Sequence, residues 1–335
     1  MHPVVALFRR NAWATERLLD FCAQQRAEVI AAPTDGDVYG GIDAAFTHIV
    51  LAERGFLPMI TGEGRENQIA DQRGTLRLGD LVEPMHWVAE RWPGAIDFDR
   101  DAEQVFQIQR RSGLTAMTDW LALMQTLQHS DDHRNQVVTM LSRHGIEAPE
   151  LDLWAFGEAF GFETADSEVG PRERRNAVLR RAFGHHAWAT NELLTACLSL
   201  SPEQLAATAP GTYGSILDTF DHMVSSDRSY LSRLEGGGRL PRLNAGSLEP
   251  LRDEFSRTSE HWLAYLDSGP DFDAPIDMRD GSKVGAWVIV AQAIHHGNDH
   301  RTHIGTVMMR TGISLPELDP WSYAIAVGAL GKQTS

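Results

Sequence analysis

Histidines in this chain are spaced in a way that could hold metal ions. Fourteen histidines occur among 335 residues, and His129 and His133 are four residues apart, as are His296 and His300. On a helix this spacing places two imidazoles on one face, one turn apart, as two ligands of one ion require. Neutral imidazoles favour Zn²⁺ or another borderline divalent ion.

An internal repeat superposes three histidine pairs. Residues 11–16 (NAWATE) recur as 186–191 (HAWATN) at an offset of 175, and the offset falls to 174 and then to 167 along the chain. The superposed pairs are His48 with His222, His129 with His296, and His133 with His300. Each copy thus has two candidate ligands on one helix and a third upstream. A single histidine pair on a helix is more often a surface or capping pair, but here the same triplet occurs twice.

The elements that must position these ligands are long helices. Apolar residues recur at three- and four-residue steps in four segments of each copy, and Gly145 and Gly312 end the last segment. The predicted helices cover residues 4–31, 41–60, 78–92 and 115–144, then 176–200, 214–234, 247–266 and 283–311. We therefore predict an all-α fold of two tandem four-helix bundles packed as a pseudo-dimer, with domains 1–165 and 174–335. The irregular stretches 96–112 and 269–282 are predicted to hold a short strand or a lid.

Composition excludes several classes of function. The formal net charge of −16 argues against nucleic-acid and acidic-membrane partners, because those contacts need clustered Lys and Arg. Two cysteines cannot build a disulfide framework, and the longest apolar runs are too short for a signal segment or a membrane span. We expect a cytoplasmic protein with a small-molecule substrate.

Residues around the helix-four histidines resemble a known family. Residues 129–137 (HSDDHRNQV) and 296–304 (HGNDHRTHI) resemble the H-x-x-x-H-R-G-Q-[IV] signature of the DinB-like (YfiT-like) superfamily. Downstream, LDLW at 151–154 and LDPW at 318–321 resemble the family's tail. The resemblance implies up-down-down-up bundles, a divalent ion on the three histidines of each copy, and a chain like a family homodimer fused head to tail. A monomer with an internal pseudo-dimer is expected, with further oligomerisation left open.

The family's activities set the functional expectation. They include S-transferases that use glutathione, mycothiol or bacillithiol, and a maleylpyruvate isomerase. We therefore expect a metal-dependent transferase or isomerase that brings a low-molecular-weight thiol to a small electrophile, with Zn as the first metal expected and Ni, Fe, Mn or Co as others. A metal-dependent hydrolase and a non-catalytic metal- or ligand-binding protein are the alternatives.

Departures from the signature supply candidate catalytic residues. The Gln of the motif is Gln136 in copy one but His303 in copy two. His303 could act as a base beside the metal, as an extra ligand, or as a cap on a nearby carbonyl. Tyr39 and Tyr213 precede the helix-two ligands by nine residues, and each could donate to a substrate or simply pack.

Carboxylates near the helix-two ligands leave two interpretations open. Glu53 and Asp227 lie five residues after His48 and His222, beside Arg54 and Arg228. Each carboxylate could accept an imidazole N–H from a ligand or form a local ion pair.

Overall fold

The structure of the chain is a computed structural model. It describes residues 1–32, 40–61, 74–96, 101–110, 113–162 and 172–330. Among these residues the fold is helical apart from two short hairpins. The predicted all-α class is confirmed.

Within the described residues, copy one contains four long helices and two short ones. The long helices begin and end close to the predicted bounds, except that the first stops eight residues early. They are α1 (Pro3–Ala23), α3 (Ile42–Thr61), α4 (Leu78–Ala95) and α5 (Asp119–Arg143), with short α2 (Ala27–Ile30) and α6 (Leu153–Phe160). Helix α5 is capped at its start by the Thr118 side chain, and Gly145, with φ of 69°, follows its last turn.

Copy two repeats this order. Its long helices are α7 (Arg172–Cys197), α9 (Ile216–Leu234), α10 (Leu248–Asp267) and α11 (Ala286–Arg310), with short α8 (Pro202–Leu205) and α12 (Pro320–Ala326). Ser215 caps α9 by accepting from the Asp218 N–H at 3.1 Å. Apolar residues of α9, among them Phe220, Met223 and Val224, are fully buried in one core with residues of α10 and α11.

The irregular stretches contain antiparallel hairpins. Strands β1 (Val105–Arg110) and β2 (Gly113–Thr118) pair directly before α5, and β3 (Pro275–Asp277) and β4 (Lys283–Gly285) pair directly before α11. The predicted short strand is thus found in both copies. Helices α5 and α11 begin later than predicted because β2 and β4 occupy the first residues of the predicted segments.

By spatial proximity the chain divides into two compact units. The copy-one bundle comprises Leu7–Leu151, Glu168–Val178 and Asp319–Ser335, and the copy-two bundle comprises Met1–Ala6, Asp152–Ser167 and Leu179–Leu318. Each copy of the repeat therefore contributes its ends to the bundle of the other copy. The predicted domain bounds follow the repeat in the sequence and stay a prediction.

Specific contacts hold the exchanged ends. In the copy-two bundle, the Leu153 N–H donates to Oε1 of Gln292 on α11 at 3.1 Å. In the copy-one bundle, the rings of Trp120 and Tyr323 meet edge to face with centroids 5.8 Å apart, and buried Arg174 pairs with buried Asp119 at 2.6 Å. The tail segments that the sequence places after each bundle are thus packed against helix four of the other repeat.

In the described part of the chain, each helix is too short or too polar to cross a membrane.

Candidate metal centres

His48, His129 and His133 meet in the copy-one bundle. His48 lies on α3, and the other two lie one turn apart on α5. Nε2 of His48 is 2.8 Å from Nε2 of His129, and one ring nitrogen of each residue lies within 4.8 Å of the others. Nδ1 of His133 contacts Oε1 of Gln136 at 2.9 Å. Because an amide oxygen accepts, the His133 proton is on Nδ1, and its Nε2 lone pair is the donor for a metal.

His222, His296 and His300 meet in the same way in the copy-two bundle. His222 lies on α9 and the other two on α11. Nε2 of His296 is 3.0 Å from Nε2 of His222 and 3.0 Å from Nε2 of His300. Both clusters therefore bring the predicted ligand sets together, with the nitrogens at one point.

Burial keeps these imidazoles neutral. Loss of hydration lowers the pKa of His133 and of His222 to about 4, and Arg242 adds to the effect at His222. Burial also holds the pKa of His129, His296 and His300 well below the usual value. Neutral imidazole is the form that binds a metal, so each cluster is ready to coordinate at neutral pH.

The hydrogen bonding of the copy-two cluster fits a metal better than it fits histidines alone. A neutral imidazole has one N–H, so His296 Nε2 cannot donate to both of its neighbours. Nδ1 of His296 and Nδ1 of His300 are buried without a hydrogen-bond partner among the described residues. An ion at the point where the three Nε2 atoms converge would accept three lone pairs that otherwise face one another. Both clusters have the donor set of a divalent ion with three protein ligands.

Tyr213 lies directly against the copy-two centre. Its ring stacks on His222 with centroids 4.2 Å apart and meets His300 edge to face at 5.1 Å. The side chain is 45% exposed, so its hydroxyl can reach solvent or a substrate. Tyr39, the matching candidate in copy one, lies outside the described residues.

His303 extends the copy-two cluster. One donor atom each of Asp299, His300 and His303 lie within 4.8 Å of one another, and Nε2 of His303 is 3.9 Å from Oδ1 of Asp299. Nδ1 of His303 is buried without a hydrogen-bond partner among the described residues, so it caps no carbonyl there. His303 therefore faces His300 at the place where Gln136 faces His133.

A buried carboxylate lies beneath the copy-one centre. Glu53 is fully buried and accepts from Asn11 Nδ2 at 3.0 Å, from Ser130 Oγ at 2.7 Å and from Trp92 Nε1 at 2.9 Å. The sequence left two partners open for Glu53, a ligand imidazole N–H and Arg54. In the structure Glu53 contacts neither of them. Because Ser130 follows His129, the carboxylate fixes α5 against α1, α3 and α4.

The buried carboxylate of copy two has a different partner. Asp227 accepts from Nε2 of His186 at 2.7 Å, while Arg228 pairs with Glu254 at 2.5 Å. Nδ1 of His186 in turn accepts from Nη1 of Arg301 at 3.0 Å. The longer imidazole at the Asn11 position compensates for the shorter carboxylate at the Glu53 position.

An arginine directly after the last histidine of each cluster ties two helices together, α5 to α1 in copy one and α11 to α7 in copy two. Arg134, 1% exposed, donates to Thr15 Oγ1 at 2.7 Å and pairs with Asp131, which also pairs with Arg10. In copy two Arg301 donates to Thr190 Oγ1 at 3.0 Å and to the Asn298 side chain. The charged Arg10 and Asp131 of copy one are thus replaced by His185 and Asn298 in copy two.

Gly297 makes room for the His186 ring. A Cβ at Gly297 would overlap Cε1 and Nδ1 of that ring. Copy one has Ser130 at this position and the smaller Asn11 opposite. The large His186 ring opposite Gly297 in copy two therefore replaces the smaller Asn11 opposite Ser130 in copy one, and each change depends on the other.

The six candidate ligands are predictable from the sequence, whereas this buried network is not. The repeat itself aligns Asn11 with His186, Thr15 with Thr190 and Arg134 with Arg301, so their pairing was a usable signal. The sequence alone does not show which of these side chains meet, because the partners are up to 123 residues apart in sequence and are brought together by helix packing.

The fold and the sites define a class: tandem helical bundles, each with a three-histidine centre. Two family models match in tandem, that of the DinB family over residues 1–165 and that of the DinB superfamily over residues 185–304. The chain belongs to the DinB superfamily and is a tandem duplication of its domain. No curated protein and no solved structure gives a significant match to the chain.

Proposed function

We propose that the protein is a divalent-metal-dependent enzyme that brings a low-molecular-weight thiol to a small electrophile, as an S-transferase or an isomerase. The observation that carries this proposal is the convergence of three neutral imidazoles on one point in each bundle; in copy two, Asp299 and His303 form a further group with His300. A centre with three protein ligands leaves a position for an exogenous molecule, which is typical of catalytic sites.

The donor set indicates the chemistry. A bound Zn²⁺ or similar ion lowers the pKa of a coordinated thiol and polarises a carbonyl oxygen. The protein's own residues supply orientation and neutral ligands: Gln136 orients His133, and burial keeps His129 and His296 unprotonated. A cytoplasmic setting, where such thiols are abundant, belongs to the same proposal.

The two centres are not equal in this proposal. The copy-two centre has Tyr213 against two ligands and His303 beside His300. Tyr213 can hold or donate a proton to a substrate oxygen, and His303 with Asp299 can position a donor group. We therefore place the proposed reaction first in the copy-two bundle.

Activity assays with defined thiols test the proposal. The metal-loaded protein would be incubated with glutathione, mycothiol or bacillithiol and an electrophilic chromophore, and the thioether product would be measured. We expect turnover with at least one thiol, and its loss in His300→Ala. His261→Ala removes an exposed imidazole from the same bundle and should leave turnover unchanged.

The same assay separates the alternatives. Hydrolysis of ester or amide substrates without thiol consumption would favour the hydrolase. Stoichiometric metal with no turnover of either kind would contradict the enzyme and favour a binding protein. In that case, unfolding of His300→Ala would identify the metal as structural.

A further inference from the structure

An arginine-rich groove lies in the copy-two bundle, in a chain whose net charge is −16. The groove has a volume of ≈ 670 Å³, within the range of small-molecule sites. Four arginines line it: Arg233, Arg239, Arg242 and Arg279. Its carboxylate, Asp277, pairs with Lys283 at 2.9 Å.

Most of these guanidinium groups have no carboxylate partner among the residues that the structure describes. Arg242 pairs with Asp221 at 2.6 Å. Within the described part of the chain, Arg233, Arg239 and Arg279 form no ion pair. Three uncompensated cations around one concavity attract an anion, and their planar forks suit the two oxygens of a carboxylate or phosphate.

The segment that carries Arg239 and Arg242 is fixed rather than loosely attached. It runs back along α9, and four side chains on one face of α9 bond its backbone. These are Ser232 Oγ to Gly238 O at 2.9 Å, Leu240 N to Ser229 Oγ at 3.3 Å, Leu243 N to Ser225 Oγ at 3.0 Å, and Ala245 N to Asp221 Oδ1 at 3.0 Å. A backbone held in this way keeps its cations close together before any ligand arrives, which reduces the entropy lost on binding.

Arg242, which lines the groove, links it to the part of α9 that carries the candidate ligand His222. Arg242 is bonded to Asp221, the residue before the ligand His222, and donates to the Asp218 carbonyl at 2.7 Å. An anion bound to Arg242 would therefore lie close to the part of α9 that carries His222.

We propose that this groove binds the anionic end of a small-molecule substrate, a carboxylate or a phosphate, whose other end reaches the centre of His222, His296 and His300. The reach to that centre rests on the function proposed above, whereas the anion site does not. The nearby metal centre and the modest volume select a small molecule over a polymer.

Calorimetric titration of inorganic phosphate and of succinate into the full-length, zinc-loaded protein tests the anion site. The variants are Arg239→Gln, Arg279→Gln and their combination. Arg310→Gln is the matched control, since it removes one exposed guanidinium of the same bundle outside the groove. We expect the double variant to raise the Kd of at least one anion by about tenfold or more, and the control to leave it unchanged.

His300→Ala separates the two proposals. Anion binding that persists in this variant and is lost in the arginine variants supports the groove, whatever the wild-type chain does with metal. Anion binding that disappears in His300→Ala and survives in Arg239→Gln/Arg279→Gln would mean that the anion binds the metal alone, and would overturn the groove. Failure of both anions to bind the wild type would overturn it as well.

Discussion

At the scale of single residues, the two centres differ in the hydrogen-bond partner of one ligand, His133 on α5 and His300 on α11. His133 has a hydrogen-bond partner in Gln136, whereas Nδ1 of His300 has none among the described residues. A partner on the far nitrogen fixes the tautomer and raises the basicity of a ligand imidazole. We therefore expect the copy-one cluster to hold a metal ion in a better-defined geometry.

Substitutions at Gln136 and His303 should change the zinc affinity of the two centres in opposite directions. Gln136→Ala is expected to lower the zinc affinity of the copy-one centre by about 10- to 100-fold, and His303→Gln to raise that of the copy-two centre. Competition with a chelating dye would measure both, with Ser142→Ala on α5 as the control. Unchanged affinity in Gln136→Ala would show that the contact does not orient the ligand.

Gly297 is a position where the packing of the His186 ring leaves no room for a side chain. Alanine normally stabilises a helix relative to glycine by about 1 kcal/mol, but here its Cβ overlaps the His186 ring. We expect Gly297→Ala to lower the free energy of unfolding by about 1–3 kcal/mol, measured by urea denaturation. Gly94→Ala, where a Cβ meets nothing within 4 Å, should have no such cost.

A double variant tests the coupling directly. His186→Asn with Gly297→Ser restores the pair found in copy one, so it should be more stable than Gly297→Ser alone. Additive losses from the two substitutions would contradict a steric exchange.

At the scale of elements, the short tail helices hold each bundle together. The α12 residues Tyr323 and Ala324 are buried in the copy-one bundle, although they follow copy two in sequence. Deletion of residues 319–335 should therefore accelerate hydrogen exchange in α5, against which α12 packs, and leave α11 protected. Faster exchange in α11 than in α5 would contradict this assignment.

Helix positions could be predicted, and candidate ligands selected, because both depend on local spacing. Periodicity and terminal glycines predicted the ends of α5 and α11, and the repeat selected six histidines from fourteen. The exchanged ends were not predictable, because the tail helices LDLW and LDPW carry the same capping signal whichever bundle they join. The buried networks were missed for a related reason: Glu53 and Asp227 meet partners on other helices, not their sequence neighbours.

At the scale of the whole molecule, buried histidines couple stability to pH. Burial lowers the pKa of His185 to about 3, and its Nε2 N–H donates to the Leu318 carbonyl at 2.7 Å. Below pH ~6.5 the unfolded chain takes up a proton at this residue that the folded chain does not accept until about pH 3. Folding stability should therefore fall as the pH falls, by up to about 1.4 kcal/mol per pH unit for such a group.

His185→Gln isolates this contribution. Glutamine can still donate to the Leu318 carbonyl but does not titrate, so the metal-free variant should lose less stability between pH 6 and pH 4 than the wild type. Urea midpoints across that range measure the slope. The exposed His261→Gln should keep the wild-type slope, and an unchanged slope in His185→Gln would contradict burial as the cause.

We propose that the tandem chain binds two metal ions, one at the three-histidine cluster of each bundle. The most direct test is the metal-to-protein ratio of zinc-loaded protein after removal of loosely bound ions. We expect about two ions per chain in the wild type, about one in His133→Ala and in His300→Ala, and none in the double variant, with two retained in His144→Ala. A wild-type ratio near zero, or a ratio that neither ligand variant changes, would contradict it.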